Sequence, residues 1–333
     1  MTVVVVGAGI VGLTCAVRLA EAGHHVRVVT REAPLETTSA VAAAVWFPYR
    51  VEPPERVDAW AARTYRELIR LANDEPESGV TMRELAAYSR RAVAEPSWRD
   101  AVDGFRRLTP AELPAGYADG WCARVPVAET PRYLPWLAAR FARAGGAIEV
   151  RPEGVPTLAA AAAGAALVVN CSGLGARTLA GDATMVPVRG QVVLVENPGL
   201  DRVLLDEDDP AAPIYVIPRR DDCVLGGTAE AGVESLAPDA AVTEAIVACA
   251  ARLVPSLADA RRLGVRVGLR PGRPAVRLEL ESPPAESSPA EARPPLMPPV
   301  IHCYGHGGAG HTVAWGCADE VLALAGRALG TAG

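Results

Sequence analysis

Two short glycine-rich runs carry the strongest chemical signal in the chain. In "VVVVGAGIVGLTCAVRLAEAG", Gly7, Gly9 and Gly12 form G-x-G-x-x-G directly after a β-branched run and at the head of a helical pattern. In that context Gly7 allows the tight turn, Gly9 lets a pyrophosphate approach the backbone, and Gly12 lets helix and strand pack closely. The phosphate charge then rests on backbone N–H groups around Ala8, Ile10 and Val11, at the positive end of the helix dipole. The expected ligand is a dinucleotide. The next strand ends in "VVTREAP", where a carboxylate for a ribose hydroxyl is usual; here Thr30 takes that place, followed by Arg31 and Glu32. Arg31 suits either a 2′-phosphate or the adenosine phosphates of FAD, and this turn leaves both open. The second run, "GHGGAGHT" at 305–312, precedes the last helical pattern.

The elements that must position these turns follow from composition and periodicity. The chain has 333 residues, enough for two domains, and its 50% hydrophobic and 22% charged residues are ordinary for a globular protein. A formal net charge of −6 argues against a nucleic-acid partner. Seven scattered cysteines without a C-x-x-C pair read as buried reduced thiols, so no metal site is expected. No signal peptide, smooth membrane span or Ser-Lys-Leu ending is recognised, so a reducing cytoplasm without membrane attachment is the expectation.

Residues 2–6 read as a buried parallel strand, 10–22 as a helix and 25–30 as a second strand. Helices are expected over 51–70, at "RYLPWLAARFARAGG", at "TLAAAAAGA" and at "AAVTEAIVACAARLVPSL", with a short one capped by Thr109 and opened by Pro110. "AIEV" and "ALVVNCSG" return to the parallel pattern, whereas "GQVVLVE", "APIYVIP" and "DDCVLGGT" suggest antiparallel strands, and "RRLGVRVGLRP" is a further strand. Residues 282–299, rich in Pro, Ser, Ala and Glu, read as a mobile surface loop. The predicted fold class is α/β, a Rossmann-type domain with a parallel sheet interleaved with an α+β domain whose sheet is largely antiparallel.

"VIHCYGHGGAGHTVAWGCA" resembles the signature of the D-amino-acid oxidase family: a hydrophobic pair and His, then Tyr-Gly-x-Gly-Gly-x-Gly, then Gly-x-Ala. Val300, Ile301, His302, Tyr304, Gly305, Gly307, Gly308, Gly310, Gly316 and Ala318 fit, while Cys303 stands where Asn is common. "PLETTSAVAAAVWFPY", "DGFRRLTPAEL", "VVNCSGLGA", "YVIP…LGGT" and "GLRPGRPAVRLE" follow in family order, so the resemblance covers nearly the whole chain. It implies non-covalent FAD. The first corner would take the pyrophosphate, and the second, from Gly307 through Gly308, Ala309, Gly310 and His311 to Thr312, would face the pyrimidine edge of the flavin. There the helix N-terminus would stabilise the negative charge of the reduced ring. Thr37, Thr38, Ser39, Ala42, Ala43, Ala44, Ser172, Gly173 and Gly268 are further implied cofactor contacts. The implied division assigns 1–46, 134–186 and 263–333 to FAD, and 47–133 and 187–262 to substrate.

The same resemblance implies oxidative deamination of D-amino acids by hydride transfer from Cα to flavin N5, with O2 reoxidising the flavin to give peroxide. Arg270 matches the arginine that grips the substrate carboxylate, and Tyr215 the tyrosine that assists it. Val45, Phe47, Ile217 and Gly308 match the substrate pocket, and the apolar members favour neutral side chains. Arg219 and Arg220 keep a D-aspartate oxidase open, a glycine or sarcosine oxidase is more distant, and Arg31 alone supports a non-catalytic flavin or NADP sensor. No catalytic base is assigned; His306 and His311 read as packing or backbone-bonding residues, and Arg273 and Arg277 as peripheral charges. The upstream tyrosine of a lid loop has no counterpart in "DEDDPAAP". A homodimer is left open.

Overall fold

The computed structural model describes residues 1–49, 51–206, 208, 212–281 and 297–330. In chain order the first strands are β1 (Thr2–Val6), β2 (His25–Thr30), β3 (Val80–Ser89), β4 (Asp103–Arg107), β5 (Asp119–Ala128), β6 (Ala147–Val150) and β7 (Leu167–Asn170). They are followed by β8 (Val186–Val195), β9 (Val203–Asp206), β10 (Ile214–Pro218), β11 (Cys223–Gly226), β12 (Glu230–Ala231), β13 (Arg262–Gly272), β14 (Arg277–Glu281) and β15 (Val300–Tyr304). The helices are α1 (Ile10–Glu21), α2 (Thr38–Val41), α3 (Pro54–Asp74), α4 (Thr130–Arg143), α5 (Leu158–Ala161), α6 (Ala176–Leu179), α7 (Ala240–Leu253) and α8 (Gly310–Leu329).

One sheet has the order β14-β15-β7-β1-β2-β6. It is parallel except for β14, which pairs antiparallel with β15. The valines of β1 are buried on both faces, which a central parallel strand requires and which the unbroken "VVVV" supplies. Helices α1 and α8 lie together on this sheet, where the Thr14 hydroxyl donates to the Ala314 carbonyl at 3.3 Å. Gly316 lets α3 approach α8: a Cβ there would stand 2.3 Å from the Trp60 carbonyl oxygen.

The other sheet has nine strands in the order β12-β8-β11-β10-β9-β3-β5-β4, with β13 paired to β8. Its contacts are antiparallel except for β3 beside β9. Chain order alternates between the sheets: β1–β2, β6–β7 and β14–β15 build the first, β3–β5 and β8–β13 the second. Sheet membership therefore changes between β13 and β14 rather than at residue 263, because β13 runs ten residues along β8 before the chain returns to β15.

Other differences have local causes. The helix expected over 51–70 starts at Pro54 and runs to Asp74, with proline in its first turn where no N–H is required. The helix at "TLAAAAAGA" is one turn capped by Thr157, and Thr109 opens a single 3₁₀ turn, Pro110–Glu112. Of the expected loop at 282–299, residues 282–296 lie outside the described residues, and 297–299 lead into β15.

Candidate active site

A cleft of about 740 Å³ runs past both glycine corners and ends between the two sheets. Its volume lies within the range of ligand-binding clefts. At the first corner Gly7 adopts φ +107°, a conformation that strains any residue with a Cβ. A Cβ on Gly12 would stand 1.9 Å from the Gly7 carbonyl oxygen, so Gly12 packs helix against turn and does not line the cleft. Gly7, Ala8, Gly9, Ile10 and Val11 do line it. Gly9, the N-cap of α1, has no side chain with which to cap the helix. Thr30 is buried and internally engaged: its hydroxyl accepts from the Ala8 N–H at 3.2 Å and donates to the Glu32 carbonyl. Arg31 lines the cleft but is mostly exposed, and it pairs with Glu32 at 2.8 Å.

At the second corner β15 ends in Tyr304, and Gly305 and Gly307 take positive φ before α8 opens at Ala309, again without a side-chain cap. Gly307, Gly308, Gly310 and His311 line the cleft; Ala309 is fully buried behind it. Thr312 is buried too, donating to the Phe47 carbonyl at 2.8 Å and accepting from the Phe47 N–H at 3.1 Å. A Cβ on Gly308 would meet Tyr49 Cδ1 at 2.5 Å.

Ser39 joins the corners. Its hydroxyl accepts the Ile10 N–H at 2.9 Å, and its carbonyl lies 3.0 Å from His311 Nε2. That contact makes Nε2 the protonated nitrogen, and burial holds the His311 imidazolium down at about 4, so the ring is neutral at ordinary pH. Thr37, Thr38, Ala42, Ala43, Ala44, Ser172 and Gly173 complete this wall, with Gly268. Ala44 holds φ +57°, uncommon for a residue with a Cβ and found where the surroundings enforce it.

At the far end Arg270 on β13 and Tyr215 on β10 face each other across β8 and β11. A Cβ on Gly190 would lie 2.3 Å from Arg270 Nη1, and one on Gly226 would lie 1.8 Å from Tyr215 Cζ, so both side chains occupy space that glycines vacate. Arg270 Nη1 donates to the Thr228 carbonyl at 2.9 Å. Burial pushes the Tyr215 phenol up, and the neighbouring guanidinium partly opposes this, so the hydroxyl stays a donor. Val45, Phe47 and Ile217 form the apolar wall beside them, with Phe47 held between Trp98 and Trp121.

The remaining arginines are engaged elsewhere. Arg219 is buried in a bidentate pair with Asp222, both contacts at 2.6 Å, and Arg220 is exposed. Arg273 pairs with Asp182, and Arg277 reaches Glu279, Glu281 and the Tyr304 hydroxyl. Among the described residues the arginines lining the cleft are Arg31 and Arg270.

Six of the seven free cysteines are buried; Cys249 is half-buried. Cys303 packs its sulfur with Cys15 and Cys171, and with Cys317 and His306, ligand atoms within each trio lying within 4.8 Å. The sequence assigned no role to Gly190, Thr228 or the Gly226–Gly227 pair, which shape the arginine and tyrosine seats, nor to Tyr49 and Glu32. An isolated glycine inside the strand "RGQVVLV" was the available signal for close approach.

These residues fit a dinucleotide whose far end becomes anionic: the N-termini of α1 and α8 lie along one cleft, neither capped by its own N-cap side chain, and Ser39 takes only the Ile10 N–H of α1. Residues 2–324 match the family model described as FAD dependent oxidoreductase. The chain belongs to that family. It is 52% identical to a D-amino-acid oxidase of Rubrobacter xylanophilus, over 98% of this chain and 96% of that one. It is 45% identical to a D-amino-acid oxidase of Streptomyces coelicolor (97% and 96%), and 35% identical to the human D-aspartate oxidase (97% and 94%). Among solved structures, glycine oxidase from Bacillus cereus superimposes with a TM-score of 0.76 at 17% identity, covering 100% of this chain and 96% of that one, a likeness of fold. This FAD-dependent oxidoreductase thus shares full-length similarity with amino-acid oxidases. Among its described residues no helix is long and apolar enough to cross a membrane.

Proposed function

We propose that this enzyme oxidises D-amino acids with neutral side chains to 2-oxo acids, ammonia and hydrogen peroxide. The observation that carries the reading is the Arg270–Tyr215 pair in the cleft of the two glycine corners; among the described residues the other arginine lining that cleft is Arg31, at the first corner and away from the Val45–Phe47–Ile217 wall. The D configuration rests on similarity to the D-amino-acid oxidases.

Arg270 offers a planar fork to the substrate carboxylate, and its bond to the Thr228 carbonyl fixes the direction of that fork. Tyr215 adds a protonated hydroxyl to the same carboxylate. The carboxylate so held and a side chain seated on the apolar wall orient Cα–H, which is the larger part of what the protein must do. Bound FAD supplies the acceptor for the hydride and the route of its electrons to O2. The α8 N-terminus at Gly308–Thr312 favours the charge that this transfer creates. No protein base is needed for a substrate amine that arrives neutral. The imino acid then hydrolyses in water.

A D-aspartate side chain would place a second carboxylate against apolar residues, with Arg219 already neutralised by Asp222. A 2′-phosphate reader is disfavoured by the Glu32 carboxylate on Arg31. We assign FAD binding to the first sheet with α1 and α8, and substrate binding to the second.

The test is anaerobic bleaching of the flavin absorbance by paired D- and L-amino acids. D-Alanine and D-methionine should bleach it, their L-isomers should not, and D-aspartate should act at least about a hundredfold less efficiently. Bleaching by D-aspartate as fast as by D-alanine overturns the neutral preference, and bleaching by L-isomers overturns the reading itself.

A further inference from the structure

His302 has no part in the chemistry above, yet it sits buried at the centre of a hydrogen-bonded chain that reaches the cleft. Its Nε2 lies 2.5 Å from Glu281 Oε2, and its Nδ1 lies 3.2 Å from Asn170 Nδ2. The other end of the Asn170 amide is occupied twice: Oδ1 accepts from the Ser172 N–H at 3.2 Å and from the Ser172 hydroxyl at 2.7 Å. These contacts leave one consistent assignment of protons. With its oxygen committed to Ser172, Asn170 turns its NH2 to His302, so Nδ1 is an unprotonated acceptor and the ring proton resides on Nε2, donated to Glu281.

A second proton on the ring would make Nδ1 a donor facing the Asn170 donor. The amide would have to turn over, the Ser172 N–H would lose its acceptor Oδ1, and the Ser172 hydroxyl would have to turn to accept from the amide NH2. Ser172 opens the Gly173–Gly175 turn that lines the cleft. It also touches the first corner, since a Cβ on Gly7 would lie 3.4 Å from Ser172 Cα. A change of proton count at His302 is thereby transmitted to the wall holding the dinucleotide.

We propose that Glu281, His302 and Asn170 form a proton-sensitive latch that positions Ser172 for FAD and loosens the cofactor when His302 becomes an imidazolium. The proposal rests on the placement of Ser172 beside FAD in the site described above. The charged and titratable groups around the ring are Glu281, Glu279 and Arg277 from β14, the edge-on Tyr304 with ring centroids 5.5 Å apart, and Asp182 behind the Tyr304 hydroxyl. Arg177 on α6 is turned to Glu234. Burial lowers the imidazolium below its ordinary 6.5; Glu281 opposes this and Arg277 reinforces it. The sign follows: the latch is fully set above about 6.5, and its contribution is lost as pH falls through the lowered value.

The experiment measures FAD dissociation from the apoprotein by flavin fluorescence, from about pH 8 down to about pH 5. The wild-type dissociation constant should rise about tenfold on acidification, the effect of losing one or two hydrogen bonds. His302→Gln keeps an acceptor toward Asn170 and a donor toward Glu281 but cannot titrate. It should bind FAD within about threefold of wild type at pH 8 and show a flat profile. Asn170→Ala should bind weakly at every pH. A wild-type profile without the rise, or the full rise retained in His302→Gln, overturns the latch. So does 15N NMR of His302 in the wild-type holoenzyme at pH 8, should it show Nδ1 protonated, and that measurement needs no variant. Failure to bind FAD at any pH would instead overturn the site reading beneath the proposal.

Discussion

At the first glycine corner the braces come mainly from the parallel sheet. Gly7 donates to the Val29 carbonyl, Thr30 caps Ala8, and Gly12 packs on Gly7 itself. At the second, they come from the stretch leading to the other sheet: Thr312 exchanges two hydrogen bonds with the Phe47 backbone, and Tyr49 fills the space above Gly308. Phe47 is also part of the proposed substrate wall, and Val45 bridges to Val127 of β5. In the proposed reading the first corner would be an anion seat braced chiefly by its own sheet. The second would tie the grip on one end of FAD to the shape of the proposed substrate pocket, so damage at the two corners should read out differently.

The largest effect on FAD binding is expected where the first corner is closed off. In Gly12→Val, Cβ would collide with the Gly7 carbonyl at 1.9 Å, inside any tolerable contact. FAD affinity should fall at least about a hundredfold, ~3 kcal/mol, by flavin-fluorescence titration. Wild-type affinity in that variant would show that the turn is not the anion seat. Next comes Arg270→Ala, which touches neither corner: FAD should stay bound while kcat/KM for D-alanine falls about a thousandfold, the scale of an unpaired buried charge. Arg270→Lys should recover only part of it, because an ammonium lacks the fork. Normal turnover by the alanine variant would remove Arg270 from the carboxylate.

The contrast between the corners also explains what could be read in advance. The unit β1–α1–β2 was legible because its determinants are local: an unbroken β-branched run and three glycines at fixed spacing. The second corner is equally glycine-rich, but such a run before a helix does not name its ligand, and only resemblance to a family did. Strands β3 and β5 went unread because neither alternates. Arg83, Glu84 and Arg124 interrupt the apolar pattern, Pro126 lies within β5, and pairing over ten residues supplies the order instead. The seats of Arg270 and Tyr215 depend on Gly190, eighty residues from Arg270, and on Gly226 on the strand paired with Tyr215, and both become neighbours through strand register. Thr30 and Thr312, expected as cofactor contacts, both tie backbone together; Thr30 also lines the cleft, whereas Thr312 lies behind it.

That pair sharpens the comparison further. Thr312→Val removes both bonds to Phe47, at about 1–3 kcal/mol for buried backbone groups left unpaired. Because Phe47 belongs to the substrate wall, a lower Tm should be accompanied by a lower kcat/KM at nearly unchanged FAD affinity. Thr30→Val uncaps Ala8 and releases the Glu32 carbonyl, both at the first corner, and should do the reverse, weakening FAD while sparing KM once the enzyme is saturated with cofactor. Identical profiles for the two variants would mean that the corners are not separately supported.

Ser39, the residue shared by both corners, should give the smallest change. Ser39→Ala deletes the hydroxyl that takes the Ile10 N–H at 2.9 Å but keeps the carbonyl that His311 Nε2 contacts. Only the first corner therefore loses a partner, at about 1 kcal/mol, the usual worth of a side chain that caps a helix N–H. FAD affinity should drop about fivefold with kcat unchanged. The His311 ring, kept neutral by burial down to about 4, should add no pH dependence of its own near neutrality. If kcat falls more than FAD affinity does, Ser39 acts through His311 and α8 instead, and the two corners are one mechanical unit.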